Sequence, residues 1–268
     1  MRYPVRIMHR LFLALLPCFL AAAAGAQVLP VSSGEIRMGH LHFISANPEA
    51  QKRFWSDGLG AQFVKTDAYD LYKVPGVLVV VQKGDARPGT ELSVVNHIGL
   101  KVRDLEGAVS KCRAAGATIL SQNERQAMLL GPDQVRVELT RDDKLTTPLA
   151  NHHVHLYGYD PNEMRNWYVD FFHATPGTRG QFKAADLPGV NLTFSPADTA
   201  LAGTKGRSLD HIGFEVHDLE AFTKNLQQWG MTFNVPYRQV PSLGIAIAFV
   251  TDPWGTSIEL TEGLDKLP

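Results

Sequence analysis

Four histidines, His40, His97, His153 and His211, each open a short run of strand-forming residues, and two glutamates, Glu138 and Glu259, each follow a proline by six positions near the end of a similar run. Two imidazoles with one carboxylate make a facial ligand set for a divalent metal, leaving positions open for water, substrate or dioxygen. One histidine on a strand is more often a core or rim residue satisfied by hydrogen bonds, and an acid at a strand end is more often solvated. Repetition of the same residue at the same place in four segments favours the ligand reading.

The segments form an internal repeat. HIGLKVRDLE (His97–Glu106) and HIGFEVHDLE (His211–Glu220) share seven of ten residues at an offset of 114, and HLHFISAN (from His40) and HVHLYGYD (from His153) echo them at an offset of 113. PDQVRVELT and PWGTSIELT then carry Glu138 and Glu259. Seven residues after each histidine stands Asn47, Asp104, Asp160 or Asp218, a side chain that accepts hydrogen bonds from the free amides of a helix's first turn. Pro48 and Pro161 suit a first helical position, where a missing N–H costs nothing. Stripes such as Leu219, Phe222, Leu226, Trp229 and Met164, Trp167, Tyr168, Phe171 predict amphipathic helices, and Gly116 and Gly230 predict their left-handed ends. Runs such as VLVVVQK, VRVELT and IAIAFV predict strands.

Each module therefore reads strand, helix, three strands. Four such βαβββ modules give an α+β fold of two paired units, with helices outside curved mixed sheets and the concave faces free. Pairing neighbours in sequence predicts domains over 36–144 and 150–264, joined near Lys144–Asn151. It also predicts two ligand sets: His153, His211 and Glu259 in the second half, and His40, His97 and Glu138 as a second possible site in the first. His42 and His155 face the same side of their strands two residues on, so either is a rival ligand or a partner that fixes a ligand's tautomer. The second half, richer in polar aromatic residues, is the favoured one.

The composition of the 268 residues fits a globular chain: 44% are hydrophobic, and 26 Lys and Arg balance 27 Asp and Glu. A net charge of −1 leaves no footprint for nucleic acid. Arg2, Arg6 and Arg10 precede an apolar run and a small-residue stretch ending at Ala26, the layout of a signal peptide over 1–26. Its removal takes the three arginines and brings the charge from −1 to −4. The mature chain is then expected to be secreted or periplasmic, free of the membrane, and a monomer or homodimer acting on a small molecule. Of the two cysteines, Cys18 and Cys112, only Cys112 remains, as a buried hydrophobe in a helix.

The H-x(6)-[DN] module starts and the GPDQVRVEL and DPWGTSIEL closing strands resemble the vicinal oxygen chelate superfamily, which includes glyoxalase I, bleomycin-resistance proteins, fosfomycin-resistance enzymes and extradiol dioxygenases. The resemblance spans Gly39 to Thr261. It implies a metal-dependent dioxygenase, lyase or transferase that chelates vicinal oxygens of a small organic substrate on Fe(II), Mn(II) or Zn(II). The alternative it implies is a metal-free binding protein of the bleomycin-resistance type. Two departures matter. The odd modules end in VLVVVQ and VNLTFS, without the fourth carboxylate of glyoxalase I enzymes. No histidine lies between Gly230 and Asp252, and Phe249 stands where ring-cleaving relatives usually have tyrosine. Another acid or base would have to serve, with His173, Tyr157, Tyr159 and Tyr237 as candidates.

Overall fold

The computed structural model describes residues 36–85 and 87–267; the expected leader, 1–26, lies outside them. Module one runs β1 (Ile36–Ser45), α1 (Pro48–Lys52) continued by a π-helical turn over Arg53–Gly58, β2 (Gln62–Lys65), β3 (Asp70–Val74) and β4 (Val77–Lys83). Module two is β5 (Val95–Val102), α2 (Leu105–Ala114), β6 (Thr118–Gln122), β7 (Gln126–Leu130) and β8 (Arg136–Arg141). Module three is β9 (Leu149–Gly158), α3 (Pro161–Phe172), β10 (Thr175–Arg179), β11 (Phe182–Leu187) and β12 (Val190–Pro196). Module four is β13 (Leu209–Val216), α4 (Leu219–Gln228), β14 (Val235–Val240), β15 (Ile245–Thr251) and β16 (Ser257–Glu262).

Each helix starts where its cap requires. The side chains of Asn47, Asp104, Asp160 and Asp218 accept from the amides of Ala50, Gly107, Asn162 and Ala221 respectively. Gly116 and Gly230 take φ of 100° and 90° just beyond their helices, a conformation only glycine adopts without strain. Met164, Tyr168 and Phe172 are the buried side of α3, and Leu219, Thr223 and Leu226 that of α4. Trp229, expected in the α4 stripe, is 52% exposed because it sits at the helix end, edge-on to His173. Cys112 is buried, and burial pushes its thiol up to about 12.

Two eight-stranded mixed sheets result, in the orders β14-β15-β16-β13-β1-β4-β3-β2 and β10-β11-β12-β9-β5-β8-β7-β6. The α+β architecture of four modules in two sheets is the one expected, but the partition is not. Modules one and four build one sheet, called outer here, through antiparallel β1 and β13. Modules two and three build the other, inner sheet through β5 and β9. The connections explain the choice. The short segment 142–148 reverses the chain over β5 and delivers β9 to that strand's free edge. The longer connections, described over 87–94 and 197–208, lead between the sheets and clasp each other. Ser208 N donates to Pro88 O at 2.9 Å, Val94 N to Ala202 O at 3.0 Å, and Arg207 Nε to Gly89 O at 2.8 Å.

The sheets also interlock. The π-helical turn of module one packs on α2 of module two, close enough that a Cβ on Gly58 would lie 3.3 Å from Cys112. Tyr168 on α3 donates to Asp252 Oδ2, in the loop after β15, at 2.8 Å.

Candidate metal centre

Cross-strand register builds the site. In the outer sheet one row runs His40, Gly213, Glu259, Phe249 across β1, β13, β16 and β15. The inner sheet repeats it as His153, Gly99, Glu138, Met128 across β9, β5, β8 and β7. In each row a glycine lies between histidine and glutamate, and the imidazole leans across it. A Cβ on Gly213 would come within 2.1 Å of the His40 ring, and one on Gly99 within 1.9 Å of the His153 ring. The glycine of each HIG triplet is the space that admits a histidine from the partner module. The neighbouring pairs, His42 with His211 and His155 with His97, complete each cluster.

The ligand sets expected from sequence are therefore each corrected at one member. His211 and Glu259 stand together, but with His40 rather than His153. His97 and Glu138 stand together, but with His153 rather than His40. The cause is the sheet partition: each sheet joins an odd and an even module, but module two pairs with three and module one with four, rather than one with two and three with four.

In the outer cluster both ring Nε2 atoms converge on one carboxylate oxygen, His40 at 3.0 Å and His211 at 2.8 Å from Glu259 Oε2. All three side chains are buried. His211 Nδ1 donates to Asp210 Oδ1 at 2.7 Å, which leaves Nε2 of the neutral ring a bare acceptor facing another acceptor. A proton or a metal cation must bridge them. Asp210 reaches the ring because the register between β1 and β13 slips there, pairing His42 with His211 and Phe43 with Leu209, and a bulge re-aims the side chain it carries. A carboxylate behind a ligating histidine is a common support for metal sites. Asp210 also accepts from Gly206 N at 2.7 Å and Lys205 Nζ at 3.1 Å. His40 Nδ1 is buried without a partner, so the gap at Gly213 orients that ring.

Without metal, burial works against the charge on Glu259 and Asp210, yet hydrogen bonds from the histidines hold both well below the usual carboxylate range. Burial also opposes the charge on His211, but its bonds to Asp210 and Glu259 outweigh that and raise it. His42 stacks on His211 with centroids 4.4 Å apart and meets Gln82 Oε1 at 3.3 Å. Burial, then the neighbouring His211 and His40, push His42 down to about 3. Nitrogens of His40, His42 and His211 lie within 4.8 Å of one another, as do those of His97, His153 and His155. The outer donors thus fit a divalent metal, with His40, His211 and Glu259 as ligands and His42 beside them.

The inner cluster differs in its contacts. His153 Nε2 lies 3.2 Å from His97 Nε2, while Glu138 Oε2 is 3.6 Å from His97. Glu138 Oε1 instead accepts from Arg179 Nη2 at 2.8 Å. Burial and then Arg179 push His155 down to about 4 and His153 well below its usual value. Burial also takes His97 to about 3, with His155 and Arg179 adding to it.

None of the four suggested acid–base residues reaches the outer cluster. Tyr157 lies against His155 in the inner one, His173 against Trp229, Tyr237 is packed with the core, and Tyr159 is 70% exposed. The sequence reading missed Asp210, Gln82, Lys205 and Arg179. A signal for Asp210 was present: the residue before each even-module histidine is Asn96 or Asp210, and both bond the ring Nδ1.

A glyoxalase-like domain family matches residues 40–144, and the Glyoxalase/Bleomycin resistance protein/Dioxygenase superfamily matches 151–260. The chain belongs to the vicinal oxygen chelate superfamily. Among solved structures of this superfamily's fold, glyoxalase I from Zea mays is 14% identical, with a TM-score of 0.67 over 87% of this chain and 94% of that one. A putative dioxygenase from Bacillus subtilis subsp. subtilis str. 168 is 12% identical, with a TM-score of 0.64 over 86% of both chains. No curated protein sequence matches the chain. At such identities the structures establish a shared superfamily fold, and each matched stretch of sequence contributes one module to each sheet.

Proposed function

We propose that the chain is an exported metal-dependent enzyme whose centre is His40, His211 and Glu259, acting on a small organic substrate through two adjacent oxygens. The carrying observation is the meeting of two imidazole nitrogens and one carboxylate oxygen at a buried point, with Asp210 fixing the tautomer of His211. Two histidines and a carboxylate with open positions match the facial set used for Fe(II), with Mn(II) and Zn(II) as the other candidates. A bound divalent cation there supplies Lewis acidity toward the substrate oxygens.

The chain's own residues do the rest. Phe249, 5.2 Å from His211, and Tyr69, 5.7 Å from His42, wall the cluster with aromatic surface. Lys205, beside Asp210 and 5.6 Å from the Phe249 ring centroid, places a positive charge at the rim for an anionic oxygen. His42 is neutral at pH 7 and presents a hydrogen-bonding imidazole beside the ligands. A metal-free binding protein is less well supported, since a binding pocket has no need of a buried carboxylate wedged between two imidazoles. Export rests on the leader expected over 1–26.

Metal analysis of the purified mature protein, with turnover assayed on catechols and on 2-oxoaldehyde thiol adducts, tests the reading. Activity lost on chelation, restored by one metal and absent in His211→Ala supports it. A chain without stoichiometric divalent metal, or one whose turnover survives chelation, sinks it. N-terminal sequencing of the exported form tests the cleavage after Ala26.

A further inference from the structure

The two clusters share a row geometry, but their carboxylates are occupied differently. Glu259 Oε2 meets His40 and His211 alone among the described residues. Glu138 Oε1 accepts three times, from Arg179 Nη2 at 2.8 Å, Thr140 Oγ1 at 3.0 Å and Gln126 Nε2 at 3.3 Å. A carboxylate oxygen has two lone pairs, so these donors saturate it, and a guanidinium does not give up its charge. The side chains of Arg179 and Glu138 are only 19% and 14% exposed.

Sequence explains why the arginine reaches in. Arg179 is the last residue of β10 and pairs across its hairpin with Phe182, which offers it no charge. Its counterpart in the outer sheet, Lys65 at the end of β2, pairs with Asp70 and is held there in an ion pair, 69% exposed. Arg179 is therefore free to span the concave face from β10 to β8, across four intervening strands. The bulge residue differs as well. Asn96 Oδ1 meets His97 Nδ1 at 2.9 Å where Asp210 meets His211, so the inner histidine has no carboxylate behind it to strengthen it as a ligand.

We propose that the inner cluster of His97, His153 and Glu138 excludes divalent metal because Arg179 holds Glu138. The exclusion does not depend on the outer reading, and one experiment separates them. The full mature chain is stripped of metal and titrated with Co(II), followed by ligand-field absorption and by bound metal after dialysis, with thermal unfolding as the check on folding. The expected result is one Co(II) per chain, lost in Glu259→Gln and kept in Glu138→Gln, rising to two in Arg179→Met. If Arg179→Met fails to fold, Arg179→Gln is read the same way. Two Co(II) in the unmodified chain, loss of metal in Glu138→Gln, or an unchanged count in both arginine variants overturns the proposal. If the unmodified chain binds none, the outer reading fails. The inner proposal then stands if the arginine variant gains one Co(II) that Glu138→Gln removes, and falls if it gains none.

Discussion

Gly213→Ala offers a sharp test of the outer centre, because it adds one methyl group where the His40 ring lies. Gly213 has no positive φ, so its backbone suits alanine and only space is at stake. The new Cβ would lie 2.1 Å from Cε1 and Nδ1 of His40. Ordinary carbon contact begins near 3.5 Å, so the ring must retreat by about 1.4 Å. His40 is 2% exposed and its Nδ1 has no hydrogen bond to give up, so the row itself must open. Overpacking of this kind costs about 1–3 kcal/mol, which lowers the melting temperature by roughly 2–12 °C for a chain this size. The same retreat breaks the 3.0 Å approach of His40 Nε2 to Glu259. Metal affinity, measured calorimetrically with Mn(II) or Co(II), is then expected to fall at least about tenfold, as for loss of ligand support. Gly99→Ala is the control: its Cβ would lie 1.9 Å from His153, so it destabilises similarly while the outer affinity stays unchanged. Wild-type affinity in Gly213→Ala would refute the assignment of His40.

Further outcomes follow from the same contacts. Asp210→Asn, which removes the carboxylate behind His211, is expected to weaken metal binding about 10- to 100-fold; an unchanged Kd would deny that Asp210 supports the ligand. The metal-free chain is expected to lose stability above neutral pH. His211 is raised, so its contribution is full below the unfolded value near 6.5 and is lost as pH rises through the folded value. Glu259 and Asp210 are lowered, so theirs is present above roughly pH 4 and lost only on acidification. Metal, which replaces the proton, is expected to abolish the alkaline decline; a metal-free melting temperature that stays level from about pH 6 to 9 would contradict this. Tyr168→Phe, by leaving buried Asp252 short of a donor, is expected to cost about 1–3 kcal/mol in denaturant unfolding. Its metal count should stay that of the unmodified chain, and a change there would show that the two sheets are coupled through this bond.

Much of this was readable from the sequence because the repeat prints the same local rules four times. The caps at Asn47, Asp104, Asp160 and Asp218 and the glycine ends at 116 and 230 are local, and all lie where the spacing puts them. His211 with Glu259, and His97 with Glu138, share modules, and the structure brings each pair together. The third member of each cluster differs from the expected one, because joining one odd and one even module is satisfied equally by neighbours and by the nested arrangement. That choice rests on connection lengths and on which glycine faces which histidine across a strand pair, both matters of three-dimensional register. Asp210 shows in sequence only as the acid before His211, matching Asn96 before His97, because alternation sends adjacent residues to opposite faces and a bulge is what brings it beside the ring. Arg179 reaches Glu138 through sheet curvature, which periodicity does not encode.

The sheets close like nested brackets. β5 and β9 lie near each other in the chain, so the inner sheet needs only a short loop to form. The outer sheet joins β1 to β13 and β16, enclosing nearly everything made between. Loop-closure entropy grows with that separation, so the outer centre, which needs β1 together with β13 and β16, closes a far longer loop than the inner one. A cut within 142–148 divides both sheets at once, leaving each fragment with two half-sheets and no complete ligand set. Linking the present ends and opening the chain between β12 and β13 would turn the outer pair into sequence neighbours, with each sheet then encoded by its own contiguous half.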